Sequence, residues 1–215
     1  TKTLYWLRRS PRHWYQALKK VLMDIGLTPC PHDPCVFVGT SPTGGSLYFG
    51  AYVDDSLYFG DDDATERWFE AELGQRLKID FMGDLDYYLG VHYEWGYTPD
   101  GRLTVHLSQE GHIHKMLEQH GLNGSDAYHP VDSPFRSGYP IDRIPHDDVE
   151  PSSKAALVQK YQSIVGSLLW LSLGTRLDIT TAVSLLCGYS HNPSQGHIDA
   201  AIHVAKYLKG TPEWG

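Results

Sequence analysis

Apolar residues recur along the chain at two spacings, which separate its mixed first half from its last third. Helical spacing predicts three helices in the first half, with N-caps at Ser10, in the acidic run 61–63 and at Ser108. The last third has helical spacing alone, with caps predicted at Asp178 and Ser194. Between the early helices, runs rich in Val, Tyr and Phe predict strands at residues 35–38, 47–60 (as a hairpin), 87–93 and 103–107. This order predicts an α+β module followed by helices.

A proline-rich stretch at residues 123–152 predicts an extended connection between two structured parts. We therefore expect three segments, 1–122, 123–152 and 153–215, the last of them helical. The chain lacks an initiator Met, so we expect it to be a piece of a longer protein. It has no apolar run long enough to span a bilayer, which predicts no membrane partner.

Asp54 and Asp55 lie between the two strand-forming runs of the hairpin and are the strongest candidates for chemistry. Paired carboxylates at a hairpin tip suit a hard divalent cation such as Mg2+, which takes oxygen ligands and shares its shell with substrate phosphates. A polar turn explains the same pair, because Asp is a favoured turn residue. An unrelated metal-dependent hydrolase is a further alternative, and it requires another carboxylate or His at the tip.

Charge and cysteine content narrow the function classes. The net charge of -8 disfavours a strong nonspecific nucleic-acid binder, although basic residues cluster near the N-terminus. The three cysteines are too few for a disulfide framework and predict a reducing, intracellular setting. The spacing of Cys30 and Cys35 matches no familiar zinc pattern.

Several strings, taken in order, resemble the reverse transcriptase of copia-type LTR retrotransposons over nearly the whole chain. Tyr-Val-Asp-Asp at residues 52–55 resembles the family's catalytic motif, and Met-Gly-Asp-Leu-Asp-Tyr-Tyr-Leu-Gly-Val at residues 82–91 resembles its primer-grip region. Residues 4–15 resemble the substrate-binding motif. Strings resembling the segment that joins polymerase to RNase H lie at residues 161–170, 175–179 and 207–211. With this order of motifs, the paired-carboxylate interpretation is favoured over the polar turn.

The resemblance implies a partial right-hand polymerase palm with an antiparallel catalytic hairpin, followed by a helical thumb and connection. It implies DNA synthesis from dNTPs on a primer, with an RNA or DNA template and Mg2+, or Mn2+ as an alternative ion. It also implies a Pol polyprotein with integrase upstream and RNase H downstream, in a cytoplasmic virus-like particle. A third metal-binding aspartate is expected on a strand upstream of Thr1, and the fingers are expected to be absent from this chain. The fragment alone is therefore expected to be inactive.

The resemblance assigns a role to each candidate residue. Asp54 and Asp55 are the catalytic metal ligands, with Asp54 expected to bind both ions. Residues expected near the nucleotide, its phosphates or the leaving pyrophosphate are Tyr52, Val53, Arg9, Arg12 and Lys78. Residues expected to grip the primer are Tyr88, Leu89 and Gly90.

Two positions depart from the family pattern. Trp6 stands where the family usually has Gly, and an indole there intrudes on the space of nucleotide and template. Leu177 stands where the family usually has Pro. Together they suggest a decayed copy, and the alternative function is a non-catalytic remnant or domesticated nucleic-acid-binding module.

Overall fold

The computed structural model describes residues 9–124, 129–135, 141 and 151–215. Trp6 and most of the predicted connection lie outside these residues. The chain forms two compact units, Thr1–Asp84 and Leu85–Gly215. The predicted three-segment division stays a prediction. The described residues include no helix both long and apolar enough to cross a membrane.

The first unit is an antiparallel sheet with helices at either end of its sequence. The elements are α1 (Ser10–Ile25), β1 (Thr28–Pro29), β2 (Val36–Thr40), β3 (Ser46–Tyr52), β4 (Asp55–Gly60) and α2 (Asp63–Arg76). The strands lie in the order β1-β2-β3-β4, so each pairs with its neighbour in sequence. Two-residue periodicity sends alternate side chains to opposite faces of the sheet.

One face of this sheet packs on both helices. Its core joins sheet residues Phe37 and Phe49 to α1 through Leu22 and to α2 through Phe69, and all four are buried. On the opposite face, Tyr48 and Phe59 stay exposed. The apolar stripes predicted for the two helices are thus explained by a single shared core.

The ends of these helices test the predicted caps. Gly26 ends α1 with a φ of 110°, a left-handed conformation that glycine adopts without strain. Asp62, from the predicted acidic run, caps α2, and its carboxylate accepts the Thr65 backbone N–H at 2.7 Å. Ser10 was wrong as an N-cap: it is the first helical residue, and the cap position belongs to Arg9.

The second unit joins a small sheet to a helical bundle. Its elements are β5 (Tyr87–Tyr88), β6 (Val91–Tyr97), β7 (Leu103–Ser108), α3 (Glu110–Gln119), α4 (Pro151–Leu173), α5 (Thr180–Cys187) and α6 (Gln195–Gly210). The strands are antiparallel in the order β5-β6-β7. A 3-10 turn at Leu177–Ile179 leads into α5. The predicted helical character of the last third is confirmed over residues 151–210, and the structure is of the α+β class.

The core of the bundle explains the helical spacing of apolar residues in the last third, because Tyr161, Ile164, Leu168 and Leu171 of α4 are all buried in it. These residues recur every three or four positions, so they share one side of the helix. The cap at Ser194 is also confirmed. Its backbone N–H donates to His197 Nδ1 at 3.0 Å.

Three local predictions in this unit were wrong. The strand predicted at 87–93 is broken by a turn at Leu89 and Gly90, whose φ angles are 49° and 82°. Ser108 ends β7, and Gln109 holds the cap position of α3. Asp178 caps no helix, because its carboxylate is engaged by Arg176 and Tyr207 instead.

Candidate functional site

The two aspartates lie at the tip of the β3–β4 hairpin, as the sequence predicted. The strands pair from Leu47 opposite Gly60 to Tyr52 opposite Asp55, which leaves Val53 and Asp54 as a two-residue turn. Both aspartates are exposed. A short turn at the end of a six-pair ladder holds its side chains in a narrow range of positions, so the tip presents two carboxylates to solvent.

Asp55 shares the outward face of the sheet with an aromatic surface. Cross-strand partners lie on the same face, so Tyr52 stands beside Asp55, and Tyr48 stands beside Phe59 further along the hairpin. The Tyr48 and Phe59 rings are stacked with their centroids 4.8 Å apart. Tyr52 is 58% exposed and Phe59 55% exposed. The carboxylates therefore stand at one end of an exposed aromatic surface.

The turn is bonded to helix α1. Trp14 Nε1 donates to the carbonyl oxygen of Val53 at 3.0 Å. Val53 has a φ of 53°, in the left-handed region that β-branched residues rarely adopt. Sequence reasoning missed Trp14 as a site residue. It lies in the string at residues 4–15 that resembles the substrate-binding motif, but the resemblance gave it no role of its own, and 39 positions separate it from Val53.

Arg9 and Arg12, predicted to meet phosphates, line an open depression on the first turns of α1 together with His13 and Gln16. All four side chains are exposed. This lining includes neither aspartate. The depression brings together two guanidinium groups and the hydrogen-bonding side chains of His13 and Gln16, a combination suited to an anionic ligand.

The other predicted site residues lie elsewhere. Lys78 is exposed just after α2. Tyr88, Leu89 and Gly90 form the β5–β6 turn in the second unit and are half-buried. A Cβ on Gly90 would lie 3.7 Å from the Trp170 ring, an ordinary contact distance, so the turn packs beside α4.

The donor set at the tip fits part of a divalent-cation shell. Carboxylate oxygens are the ligands that Mg2+ and Mn2+ prefer. In the part of the chain that the structure describes, no group of three or more His, Cys, Asp or Glu side chains is arranged to hold a metal ion. Two carboxylates leave most of an octahedral shell to other ligands, which suits a site shared with substrate phosphates and further protein oxygens.

Comparison with known proteins gives one consistent family. The family model described as reverse transcriptase (RNA-dependent DNA polymerase) matches residues 1–133. The whole chain is 33% identical to the retrovirus-related Pol polyprotein from transposon RE1 of Arabidopsis thaliana and covers 14% of that protein. Over 98% of its length, this chain is also 28% identical to the retrovirus-related Pol polyprotein from transposon TNT 1-94 of Nicotiana tabacum, and it covers 15% of that polyprotein.

A shorter relative is the putative transposon Ty5-1 protein of Saccharomyces cerevisiae, which is 28% identical over 97% of this chain, and 63% of that protein is covered. No solved structure matches. The chain spans about one seventh of the plant polyproteins, 14% for RE1, and the match runs through both compact units. The chain therefore belongs to the reverse transcriptase family, in the copia-type retrotransposon group whose Pol polyproteins it resembles.

Proposed function

We propose that this chain contributes Asp54 and Asp55 to the active site of an RNA-directed DNA polymerase that extends a primer with dNTPs on an RNA or DNA template. The observation that carries the proposal is the hairpin tip, where a two-residue turn exposes both carboxylates. In this family such sites use divalent metal ions, and we propose Mg2+, with Mn2+ as an alternative.

Asp54 and Asp55 would hold the ions, with Asp54 shared between them. When bound, a pair of such ions aligns and stabilises the attacking and leaving oxygens of nucleotidyl transfer. The work of the chain itself is positioning. The ladder from Leu47 to Gly60 keeps the carboxylates at a fixed place, and the exposed Tyr52 beside Asp55 offers a surface for the primer end or the nucleotide.

The proposed palm arrangement is supported by the position of β4 at the edge of its sheet. An edge strand presents backbone N–H and C=O groups that can pair with another strand. We propose that an upstream strand carrying the third metal-binding carboxylate pairs there. Such pairing would put the third carboxylate beside Asp55, the first residue of β4.

The remaining roles follow the family assignment. We propose that Arg9 and Arg12, which share the depression on α1, contact phosphates, and that Lys78 protonates the leaving pyrophosphate. In the second unit, the turn formed by Tyr88, Leu89 and Gly90 would contact the primer backbone, with Gly90 permitting close approach. The helices of that unit would form the thumb and the connection.

A chimera tests the function. Fingers and upstream palm from an active copia-type element are joined to this chain, and dNTP incorporation is measured on a primer–template. Asp54→Asn should lower incorporation by at least about a hundredfold, because it removes charge stabilisation from the reacting centre. Asp24→Asn is the matched control, since this carboxylate is exposed on α1 away from the tip. Equal activity of the Asp54→Asn and control chimeras would refute the assignment.

A further inference from the structure

We propose that Trp14 is a positioning residue of the hairpin tip: its indole N–H holds the Val53 carbonyl and so fixes the turn from which Asp54 and Asp55 project. The catalytic meaning of this inference rests on the proposed function. The anchoring itself can be tested without any activity.

The turn needs a stabilising contact from outside the hairpin, because valine is poorly suited to the backbone conformation of the first turn position. Val53 has a φ of 53°, whereas Asp54 keeps a negative φ. This sign pattern belongs to the type II′ turn, whose first central position favours glycine. A β-branched residue there is strained, and such strain persists only where surrounding contacts over-determine the conformation.

Trp14 supplies such a contact from a rigid support. The Nε1–O distance of 3.0 Å is that of a good N–H···O bond. Helix α1 is itself held in the core by the buried Leu18 and Leu22. On the residue after Trp14, the Tyr15 hydroxyl donates to the Pro34 carbonyl at 2.7 Å. The indole therefore presents its donor from a fixed point.

The bond acts on the peptide unit that joins Val53 to Asp54. A held carbonyl restricts the rotation of this peptide plane, and the plane sets the direction in which the Asp54 side chain leaves the backbone. Asp55 is tied less strongly to this unit, because it already pairs with Tyr52 in the ladder. Loss of the indole donor would let the turn leave its strained conformation and would displace Asp54 first.

Trp14→Phe in the full chain tests the anchoring, because it removes the donor and keeps an aromatic ring. Hydrogen exchange should become about fivefold faster at the amides of residues 52–55, the change expected for one lost hydrogen bond. Exchange near Leu47 and Gly60, at the far end of the hairpin, should not change. Trp68→Phe is the matched control, because Trp68 packs at the edge of the same core from α2.

Rescue separates positioning from general stability. Val53→Gly removes the strain, because glycine adopts the left-handed conformation freely. In the Trp14→Phe background, Val53→Gly should therefore return tip exchange to within about twofold of that in the unaltered chain, because the relieved strain offsets the lost hydrogen bond. Unchanged tip exchange in Trp14→Phe, or faster exchange spread over the whole sheet, would overturn the proposal.

A manganese titration links the anchor to the carboxylates. Mn2+ should broaden NMR signals of the tip amides in the unaltered chain, and Asp54→Asn should remove most of the broadening. Trp14→Phe should raise the Mn2+ concentration needed by about fivefold, and Trp68→Phe should leave it unchanged. If Mn2+ causes no broadening in the unaltered chain, the proposed metal site and the catalytic role of the anchor are both refuted. The hydrogen-exchange measurement by itself decides whether Trp14 anchors the turn.

Discussion

Asp178→Asn should destabilise the second unit much more than the loss of a helix cap would. Arg176 is 1% exposed, and its guanidinium donates to both carboxylate oxygens of Asp178, at 3.1 and 2.8 Å. The Tyr207 hydroxyl donates to the same carboxylate at 2.8 Å. Asparagine keeps the volume of the side chain but removes its charge, so a buried guanidinium loses its counter-ion.

The magnitude follows from burial. Removal of one partner from a buried ion pair costs about 3–5 kcal/mol, because the other charge stays desolvated. Two features make the loss of stability smaller here. The Asp178 side chain is 34% exposed, and in the variant Arg176 would keep its 2.7 Å hydrogen bond to the Thr211 carbonyl. We expect the free energy of unfolding to fall by about 2–3 kcal/mol.

The pH dependence has a definite sign. Burial raises the pKa of the Asp178 carboxyl, but hydrogen bonds from Arg176 and Tyr207 and the guanidinium charge outweigh it, so its pKa lies below the ordinary 3.8. The unfolded chain therefore binds this proton more readily. The stabilisation is complete above that ordinary value and is lost as the pH falls through the folded pKa. Asp178→Asn should lack this loss.

Hydrogen exchange along a urea series, measured on peptides from α4 and α6, reports the second unit separately from the first. Asp199→Asn is the matched control. Among the contacts described, the exposed Asp199 carboxylate accepts a hydrogen bond only from Gln195, at 2.9 Å. This substitution should lower the free energy of unfolding by less than about 0.5 kcal/mol. A cost for Asp178→Asn near 1 kcal/mol, the size of a lost N-cap, would refute the buried-pair argument.

Two further outcomes are expected. Gly174→Ala should lower the free energy of unfolding of the second unit in urea by about 1–3 kcal/mol, because the added Cβ would lie 2.2 Å from the Oε1 of buried Gln109. Gly166→Ala, whose Cβ would meet no atom within 4 Å, should be neutral or stabilising. Equal effects of the two substitutions would contradict this reasoning. The isolated chain should not extend a primer in a dNTP-incorporation assay. Extension that Asp54→Asn abolishes would contradict the expectation, since a contaminating polymerase ignores that change.

The local pattern was sufficient for most elements and for the carboxylate tip. The α4 stripe through Tyr161 and Leu168 and the hairpin around Asp54 were predictable, because helical and two-residue periodicities are properties of neighbouring residues. The cap at Ser10 and the unbroken strand through Leu89 were wrong. Both depended on single residues, whose backbone conformation responds to packing as much as to local preference.

The sequence by itself determined the family, the order of helices and strands and the two adjacent carboxylates, because these depend on residue order and short-range spacing. The tertiary structure decided which distant groups meet. It placed Trp14 against Val53 across 39 positions, and it joined Asp178 to Tyr207 across 29. No periodicity encodes such pairs. They form only when whole elements pack, since packing brings polar groups from distant segments into hydrogen-bonding distance.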